Sequence, residues 1–361
     1  MNRPIMLGDV SSGRENNVLL LRMLAASIVV YGHAFGLTHH NSGEPFNRFF
    51  GMNPANIGVD AFFVISGFLI CRSFVRKDLV TFAWARAMRI FPALWVSTVL
   101  LILLVGVFLT PLSPTQFWLR HDTLTYIARN ATVLSGCQIR LPFAFDSRTT
   151  QFNDSLWTLP HELQMYILLA LVGVCGLLRR PFAAVALLLV GGLAFAISVL
   201  GLAHPIEAER ARFMFLFFSG TTLYLFRDFV PMRGSLALAC ICLCVLAGLA
   251  TTNHAIHRLV LEAAVPYLVM WFSFVPAGAI RWYNTLGDYS YGTYILAGPV
   301  QVFLALRIPG GSALMNLASA LLLVLPLSAA SWHLLESRAL ALQLPKALRP
   351  MAAYAAATLR K

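Results

Sequence analysis

The chain has 361 residues, of which 58% are hydrophobic and 12% are charged, and its mean hydropathy is +0.73. Soluble domains are about a quarter charged, so this composition excludes a soluble protein and indicates that most of the chain lies in a lipid bilayer. The formal net charge of +12 does not call for a nucleic acid, because basic residues beside membrane spans set orientation and contact anionic lipid.

Apolar runs of about 20 residues, the length that an α-helix needs to cross the hydrocarbon, recur along the chain. They are continuous and do not alternate apolar with polar residues, which argues against β-strands. We therefore expect an all-α, polytopic membrane bundle. The predicted spans lie near 17–37, 57–74, 88–110, 156–178, 182–203, 210–226, 235–252, 258–277, 287–306 and 313–335.

The basic residues predict how this bundle is oriented. With the N-terminus in the cytoplasm, most of the 27 Lys and Arg residues lie at the inner side, as the positive-inside rule requires. Ten spans then place both termini in the cytoplasm. We expect the first span to be retained rather than cleaved as a signal peptide. We also expect residues 1–361 to form a single domain of the cytoplasmic (inner) membrane.

The longest connection between predicted spans covers about 110–155, on the predicted outer side. Within it, residues 123–136 are moderately apolar but too few to cross a bilayer, so they predict a re-entrant or interfacial segment. Long connections without structure of their own are usually functional. This loop is therefore a candidate contact surface for an external substrate.

The first predicted span carries two groups that are costly to place in lipid, Arg22 and His33. Their separation puts them on one helix face, about 16 Å apart along the axis. Arg22 would lie at the cytoplasmic end, where its planar guanidinium suits a phosphate. His33 would lie deeper, as a group able to take a proton near neutral pH. Since a pantetheine arm has a similar reach, the pair predicts a coenzyme A thioester that enters from the cytoplasm.

A second basic pair lies at the inner end of the third span. Arg86 and Arg89 are three residues apart, so they share one helical face. Guanidiniums one turn apart can hold the phosphates of a nucleotide. Together with Arg22, they predict a binding site for the donor's head group.

Four acidic residues lie in or beside predicted spans, namely Asp60, Glu162, Asp288 and Glu336. Asp60 and Glu162 are both candidates for an acid that orients the ring of His33 or stabilises its charged form, as acids do in nucleophilic triads. The sequence does not distinguish between these two. Asp288 and Glu336 lie close to span ends, where the simplest interpretation is that water solvates them.

Five blocks of this sequence, in order, resemble the acyltransferase-3 family of integral-membrane acyltransferases. The closing segment SWHLLESRAL (331–340) is similar as well. The resemblance covers nearly the whole chain. The five blocks are the arginine–ten residues–histidine pattern (Arg22, His33), GVDAFFVISGFLI (58–70), RAMRIFPALW (86–95), SLWTLPHELQMY (155–166) and YSYGTYILAGPVQ (289–301).

This resemblance implies a bundle of about ten helices and the transfer of an acyl group, usually acetyl, from a cytoplasmic donor to a sugar hydroxyl of a cell-surface or exported glycan. Carried over by position, His33 corresponds to the catalytic histidine. Arg22, Arg86 and Arg89 correspond to the arginines linked to donor binding. The similarity is to stand-alone members without a C-terminal hydrolase-like domain, so the bundle and its outer loops are expected to recognise the acceptor.

The remaining blocks supply further candidates by the same resemblance. Glu162 matches the acid of the block that begins at Trp157, and Glu336 matches the acid of the closing segment. Trp157 and Tyr291 are candidates for structural or site support, since aromatic rings can stack on sugars, although such residues more often form the interfacial belt or the core. The chain departs from many relatives at Gly298, where they carry a histidine. That residue is therefore no universal catalyst.

We therefore predict an enzyme that transfers an acyl group, most simply acetyl, from cytoplasmic acyl-CoA to a glycan, with His33 as the general base. The acceptor would be an exopolysaccharide, a lipopolysaccharide or an oligosaccharide. Acyl-CoA is a co-substrate, and we expect no permanently bound cofactor, metal or nucleic acid. Transfer through an acyl-His33 intermediate and transfer of a larger group such as succinyl both remain open.

Two other classes of function compete with this prediction. A glycan transporter or flippase would also use intramembrane Arg, His and Glu as a proton relay, but the sequence shows no inverted repeat and no paired broken spans. A scaffold subunit of an export complex is a third possibility, but it would not explain why Arg22 and His33 lie on the same face of one helix. Taken alone, His33 could also be a histidine satisfied by a neighbouring carbonyl.

Overall fold

The structure is a computed structural model. In the described residues it contains α-helices, short 3-10 and π segments, and one isolated bridge between Met6 and Pro231, with no β-strand. The predicted all-α class is confirmed. The part of the predicted outer loop at 138–152 lies outside the described residues. The structure describes residues 4–13, 15–39, 44–50, 52–110, 112–133, 136–137, 153–179, 182–202 and 205–351.

Helices occupy most of the described chain. The α-helices are α1 (Leu7–Ser11), α2 (Val18–His39), α3 (Pro45–Phe50), α4 (Ala55–Arg76), α5 (Leu79–Phe108), α6 (Pro114–Trp118), α7 (His121–Thr132), α8 (Leu159–Val174), α9 (Phe182–Val199), α10 (Pro205–Leu225), α11 (Gly234–Ala250), α12 (His254–Phe274), α13 (Ser290–Arg307), α14 (Ala313–Ser331) and α15 (Ser337–Ala341). The 3-10 helices are Asp154–Thr158, Leu177–Arg179, Ala279–Thr285 and Lys346–Leu348, and a π-helical turn covers Trp332–Glu336.

Each predicted span coincides with one of the helices α2, α4, α5 and α8 to α14. Among the described residues, six helices are long and apolar enough to cross a membrane, and α11 is apolar but shorter. Ten crossings and cytoplasmic termini stay predictions. The six candidates are Val18–Thr38, Ala55–Arg76, Leu79–Phe108, Phe182–Val199, His254–Phe274 and Ala313–Ala341.

Helix α4 lies at the centre of the bundle and packs against α2, α8, α10 and α12. Its contact with α10 is made by backbone. A Cβ atom on Gly67 would lie 1.9 Å from the carbonyl oxygen of Phe217, and one on Gly220 would lie 2.1 Å from that of Val64. Such close approach is possible only for small residues, as is common between membrane helices. The two glycines therefore set the distance between α4 and α10.

We expect Gly67→Ala to destabilise the protein by about 1–3 kcal/mol, because the added methyl group must push α10 away from α4. A lower midpoint of thermal unfolding in detergent would show this. Gly234→Ala is the matched control, since a Cβ atom there would meet only the Trp271 ring, at 3.8 Å. An unfolding midpoint for Gly67→Ala equal to that of the control would contradict the prediction.

The predicted re-entrant or interfacial segment at 123–136 contains most of α7, which packs beside α5. Phe117 of α6 and Tyr126 of α7 are fully buried in a small core with α5. The indole Nε1 of Trp95 donates a hydrogen bond to the carbonyl oxygen of Ala131, over 2.8 Å. These contacts fix the first part of the predicted outer loop on the bundle.

The start of α2 is attached to the end of α12. Asn17 donates its backbone N–H to the carbonyl oxygen of Ser273 at 2.7 Å. Its side-chain amide donates to the carbonyl oxygens of Phe272, at 3.0 Å, and Pro276, at 2.8 Å. Carbonyls at a helix C-terminus otherwise lack partners. This attachment positions the first turns of α2, which carry Arg22.

Candidate active site

A partly open cavity lies among α2, α4, α5, α8 and α13. Its wall contains the three predicted donor-binding arginines, Arg22, Arg86 and Arg89, together with Glu162 and Tyr291. The structure therefore brings together side chains from four helices that the sequence analysis assigned to one site. Aromatic and aliphatic side chains form most of the remaining wall.

Asp288, just before α13, joins two of these arginines. Its Oδ2 atom lies 3.3 Å from Nε of Arg22 and 2.6 Å from Nη2 of Arg89. Its Oδ1 atom accepts hydrogen bonds from the hydroxyl and the backbone N–H of Ser290. Asp288 is only 8% exposed. The interpretation of Asp288 as a solvated residue is therefore wrong, since one buried carboxylate connects α2 to α5.

Glu336 adds a second acid beside Arg89. Its Oε2 atom lies 3.8 Å from Nη1 of Arg89, and its Oε1 atom accepts a hydrogen bond of 2.9 Å from the hydroxyl of Ser331. Glu336 is the last residue of the π-helical turn and is 2% exposed, so it is not solvated either. π-Helical turns often occur at functional sites. Here the turn accompanies an acid that lies against the arginine site.

Arg86 differs from the other two arginines. In the part of the chain that the structure describes, no acidic side chain lies within 4 Å of its guanidinium, and its buried Nε has no hydrogen-bond partner. Arg89, three residues later on the same face of α5, has two acids. The cavity therefore contains one guanidinium without an ion-pair partner beside two that are paired.

Glu162 and Tyr291 are held in the cavity wall by hydrogen bonds. The carboxylate of Glu162 accepts from the hydroxyls of Tyr166 and Ser66, the latter at 3.4 Å. The hydroxyl of Tyr291 donates to the carbonyl oxygen of Ile90 at 2.9 Å, and the Arg89 guanidinium carbon lies 5.6 Å from the centre of its ring. These bonds leave both side chains in defined positions.

Trp157 supports the start of α8 rather than the cavity wall. Its ring centre lies 5.9 Å from that of His161 and 5.4 Å from that of Phe213. The Phe213 ring is fully buried and stacks on Phe63 at 4.1 Å. Trp157 therefore packs α8 against α10, and through α8 it helps to place Glu162.

His33 lies on the same unbroken helix as Arg22, since α2 runs from Val18 to His39. Its ring is not part of the cavity wall. Asp154, the first residue of the 3-10 helix Asp154–Thr158, is close enough to interact electrostatically with this ring. Thr158, at the other end of that short helix, lines the cavity. The acid that interacts with His33 and one residue of the cavity wall therefore belong to the same 3-10 helix.

Asp60 lies elsewhere in the bundle. It is fully buried, and its Oδ1 atom lies 3.6 Å from Nη1 of Arg212 on α10. The same nitrogen lies 3.7 Å from Oε1 of Glu262 on α12, and Nη2 of Arg212 lies 2.6 Å from Oε2 of Glu209. Asp60 is not among the residues of the cavity wall. The structure therefore separates it from the arginine site, and its predicted action on His33 stays a prediction.

Sequence reasoning did not select Asp288, Asp154 or Arg212 as functional or structural centres. The signal for Arg212 was present, because an arginine inside the predicted span 210–226 needs a partner. The signal for Asp288 was its charge beside a predicted span. Asp154 carried no signal, since it lies in a connection and only the fold brings it within electrostatic reach of His33.

Comparison with known proteins identifies the family of the chain. A family model described as an acyltransferase domain, Acyl_transf_3, matches residues 16–333. The O-acetyl transferase of Shigella phage Sf6 is 31% identical over 346 residues, which cover 90% of this chain and 96% of the phage protein. Nodulation protein 10 of Rhizobium leguminosarum bv. viciae is 34% identical over 171 residues, 45% of each chain. No solved structure matches. The chain therefore belongs to the acyltransferase-3 family and is an acyltransferase.

Proposed function

We propose that this enzyme transfers an acetyl group from acetyl-CoA to a hydroxyl of a cell-surface or exported glycan, in the cytoplasmic membrane. The observation that supports the donor most strongly is the cavity wall that collects Arg22, Arg86 and Arg89 from two helices. Guanidiniums bind phosphates through paired, charge-assisted hydrogen bonds. The head group of coenzyme A carries several phosphates, so it is a fitting ligand for this wall.

The acceptor side of the proposal rests on His33 and on the relatives. His33 lies about 16 Å along α2 from the arginine level, a distance that the pantetheine arm can span. The name of the Shigella phage relative, O-acetyl transferase, supports acetyl as the group and oxygen as the acceptor atom. The family resemblance supports a sugar hydroxyl as the source of that oxygen.

The proposed reaction is a direct transfer. The imidazole of His33 takes the proton of the sugar hydroxyl, and the hydroxyl oxygen attacks the thioester carbonyl carbon. The carbon–sulfur bond breaks, coenzyme A leaves as the thiolate, and the proton held by His33 passes to that sulfur. Holding both reactants in line lowers the barrier further, because their translational and rotational freedom is lost on binding rather than in the reaction step.

The test supplies radiolabelled acetyl-CoA to membranes that contain this protein and to membranes that lack it. We expect label on extracted glycan only where the protein is present, and we expect mild alkali to release it, since an O-acetyl ester is alkali-labile. The proposal would be contradicted if no labelled ester formed in membranes that contain the protein, a glycan acceptor and the labelled donor. Movement of glycan across the membrane without label would support the transporter alternative.

A further inference from the structure

The three arginines of the cavity are not equivalent, although the sequence pattern treats them alike. Arg22 and Arg89 share one oxygen of Asp288, at 3.3 and 2.6 Å, and Arg89 has Glu336 as a second acid. Arg86 has no acid within 4 Å among the described residues, and its Nε is buried without a hydrogen-bond partner. The cavity thus has two guanidiniums in ion pairs and one, that of Arg86, without an ion pair among the described residues.

This difference decides which arginine an incoming phosphate can bind at least cost. A phosphate on Arg22 or Arg89 must displace the Asp288 carboxylate or lie beside it, and two like charges a few ångströms apart repel each other strongly away from bulk water. A phosphate on Arg86 displaces no ion-paired acid, since Glu162, the acid in the same cavity wall, lies more than 4 Å from that guanidinium. It also supplies the anion that this half-buried guanidinium lacks, in a charge-assisted hydrogen bond.

Building on the function proposed above, we propose that Arg86 is the arginine that binds a phosphate of the donor directly, and that Asp288 is a positioning residue. Asp288 holds Arg22 of α2 and Arg89 of α5 together, and it keeps both from taking the phosphate. Because α2 also carries His33, this connection aligns the bound donor with the catalytic histidine. Loss of Asp288 would then disturb alignment rather than affinity.

The first experiment measures binding of coenzyme A to the purified full chain in detergent by isothermal titration calorimetry. We expect Arg86→Gln to weaken binding by roughly ten- to a hundred-fold, as for loss of a hydrogen bond between charged groups. Arg86→Lys should lose less, because it keeps the charge. Arg76→Gln, at an exposed arginine near the end of α4, is the matched control and should bind within two-fold of the unaltered chain. Unchanged binding by Arg86→Gln would overturn the proposal.

The second experiment tests the role of Asp288. We expect Asp288→Asn to bind coenzyme A at least as tightly as the unaltered chain, because Arg22 and Arg89 are released, while kcat falls at least ten-fold. In the double variant Arg86→Gln/Asp288→Asn, the released arginines should restore part of the lost affinity. Weaker binding by Asp288→Asn, or no recovery in the double variant, would overturn the assignment.

Arg22→Gln keeps the proposal testable if variants of Asp288 do not fold. Its effect on coenzyme A affinity should be within three-fold, and a loss equal to that of Arg86→Gln would overturn the division of roles.

Dephospho-coenzyme A is the second probe. A smaller effect of Arg86→Gln on this ligand would place the bond at the 3′-phosphate, and an equal effect would place it at the diphosphate. If the unaltered chain binds neither probe, the proposed donor itself fails, which is distinct from failure at Arg86 alone.

Discussion

Replacing His33 with glutamine is expected to lower kcat for acyl transfer by about 10² to 10⁴, because the amide cannot take the proton of the acceptor hydroxyl. The affinity for coenzyme A should stay close to that of the unaltered enzyme, since Arg86 lies on α5 and Arg22 lies about 16 Å from His33 along α2. Initial rates of label transfer, together with calorimetric binding, measure the two effects separately. A loss of coenzyme A affinity without a fall in kcat would contradict the assignment of His33 as the base.

His254→Gln is the matched control for this experiment. His254 is an exposed histidine at the start of α12 and is not part of the cavity wall, so its replacement should leave kcat unchanged. The same assay separates direct transfer from an acyl-His33 intermediate. Rapid quenching with labelled donor, in the absence of acceptor, should leave no label on the protein in direct transfer. Label that is lost in His33→Gln would support the covalent path.

Arg212→Gln is expected to lower the free energy of unfolding by about 3–5 kcal/mol, since removal of one partner leaves buried charges uncompensated. Arg212 is fully buried, and its nitrogens lie within 4 Å of Asp60, Glu209 and Glu262. These acids come from α4, α10 and α12, so the arginine connects three helices. The midpoint of thermal unfolding in detergent measures the loss.

Arg258→Gln is the control for this comparison. Arg258 also pairs with Glu209, at 2.8 Å, but its side chain is 25% exposed, so water compensates much of the loss and the effect should stay near 1 kcal/mol. Equal unfolding midpoints for the two variants would show that Arg212 does not hold the helices together. Asp60→Asn tests whether Asp60 is structural or catalytic. A lower unfolding midpoint with unchanged kcat would indicate a structural acid. A lower kcat with an unchanged midpoint would support its predicted catalytic role.

Local geometry explains why part of the site was predictable from sequence. Arg22 and His33 are placed by the repeat of a single helix, and α2 is unbroken between them. The same holds for Arg86 and Arg89 on α5. Backbone hydrogen bonding sets the positions of residues within one helix, so counting along the chain is enough to find which side chains share a face.

The partners of these residues were not predictable in this way. Asp288 lies 199 residues after Arg89, and Glu336 matched the acid of the closing segment without any indication that its partner is Arg89. Asp60 was one of two candidates, with Glu162, for the acid that acts on His33, but its ion pair is with Arg212. Each of these contacts depends on how two helices are packed and rotated against each other.

The amino-acid sequence by itself determined the membrane character of the chain, its all-α class, the helix segments and the faces that carry Arg22, His33, Arg86 and Arg89. Only the tertiary structure decided that Asp288 pairs with both Arg22 and Arg89 while Arg86 has no ion pair among the described residues. The physical reason is that hydropathy and helical periodicity act over a few turns of one helix. Ion pairing in the bundle depends on distances between helices that are far apart in the chain.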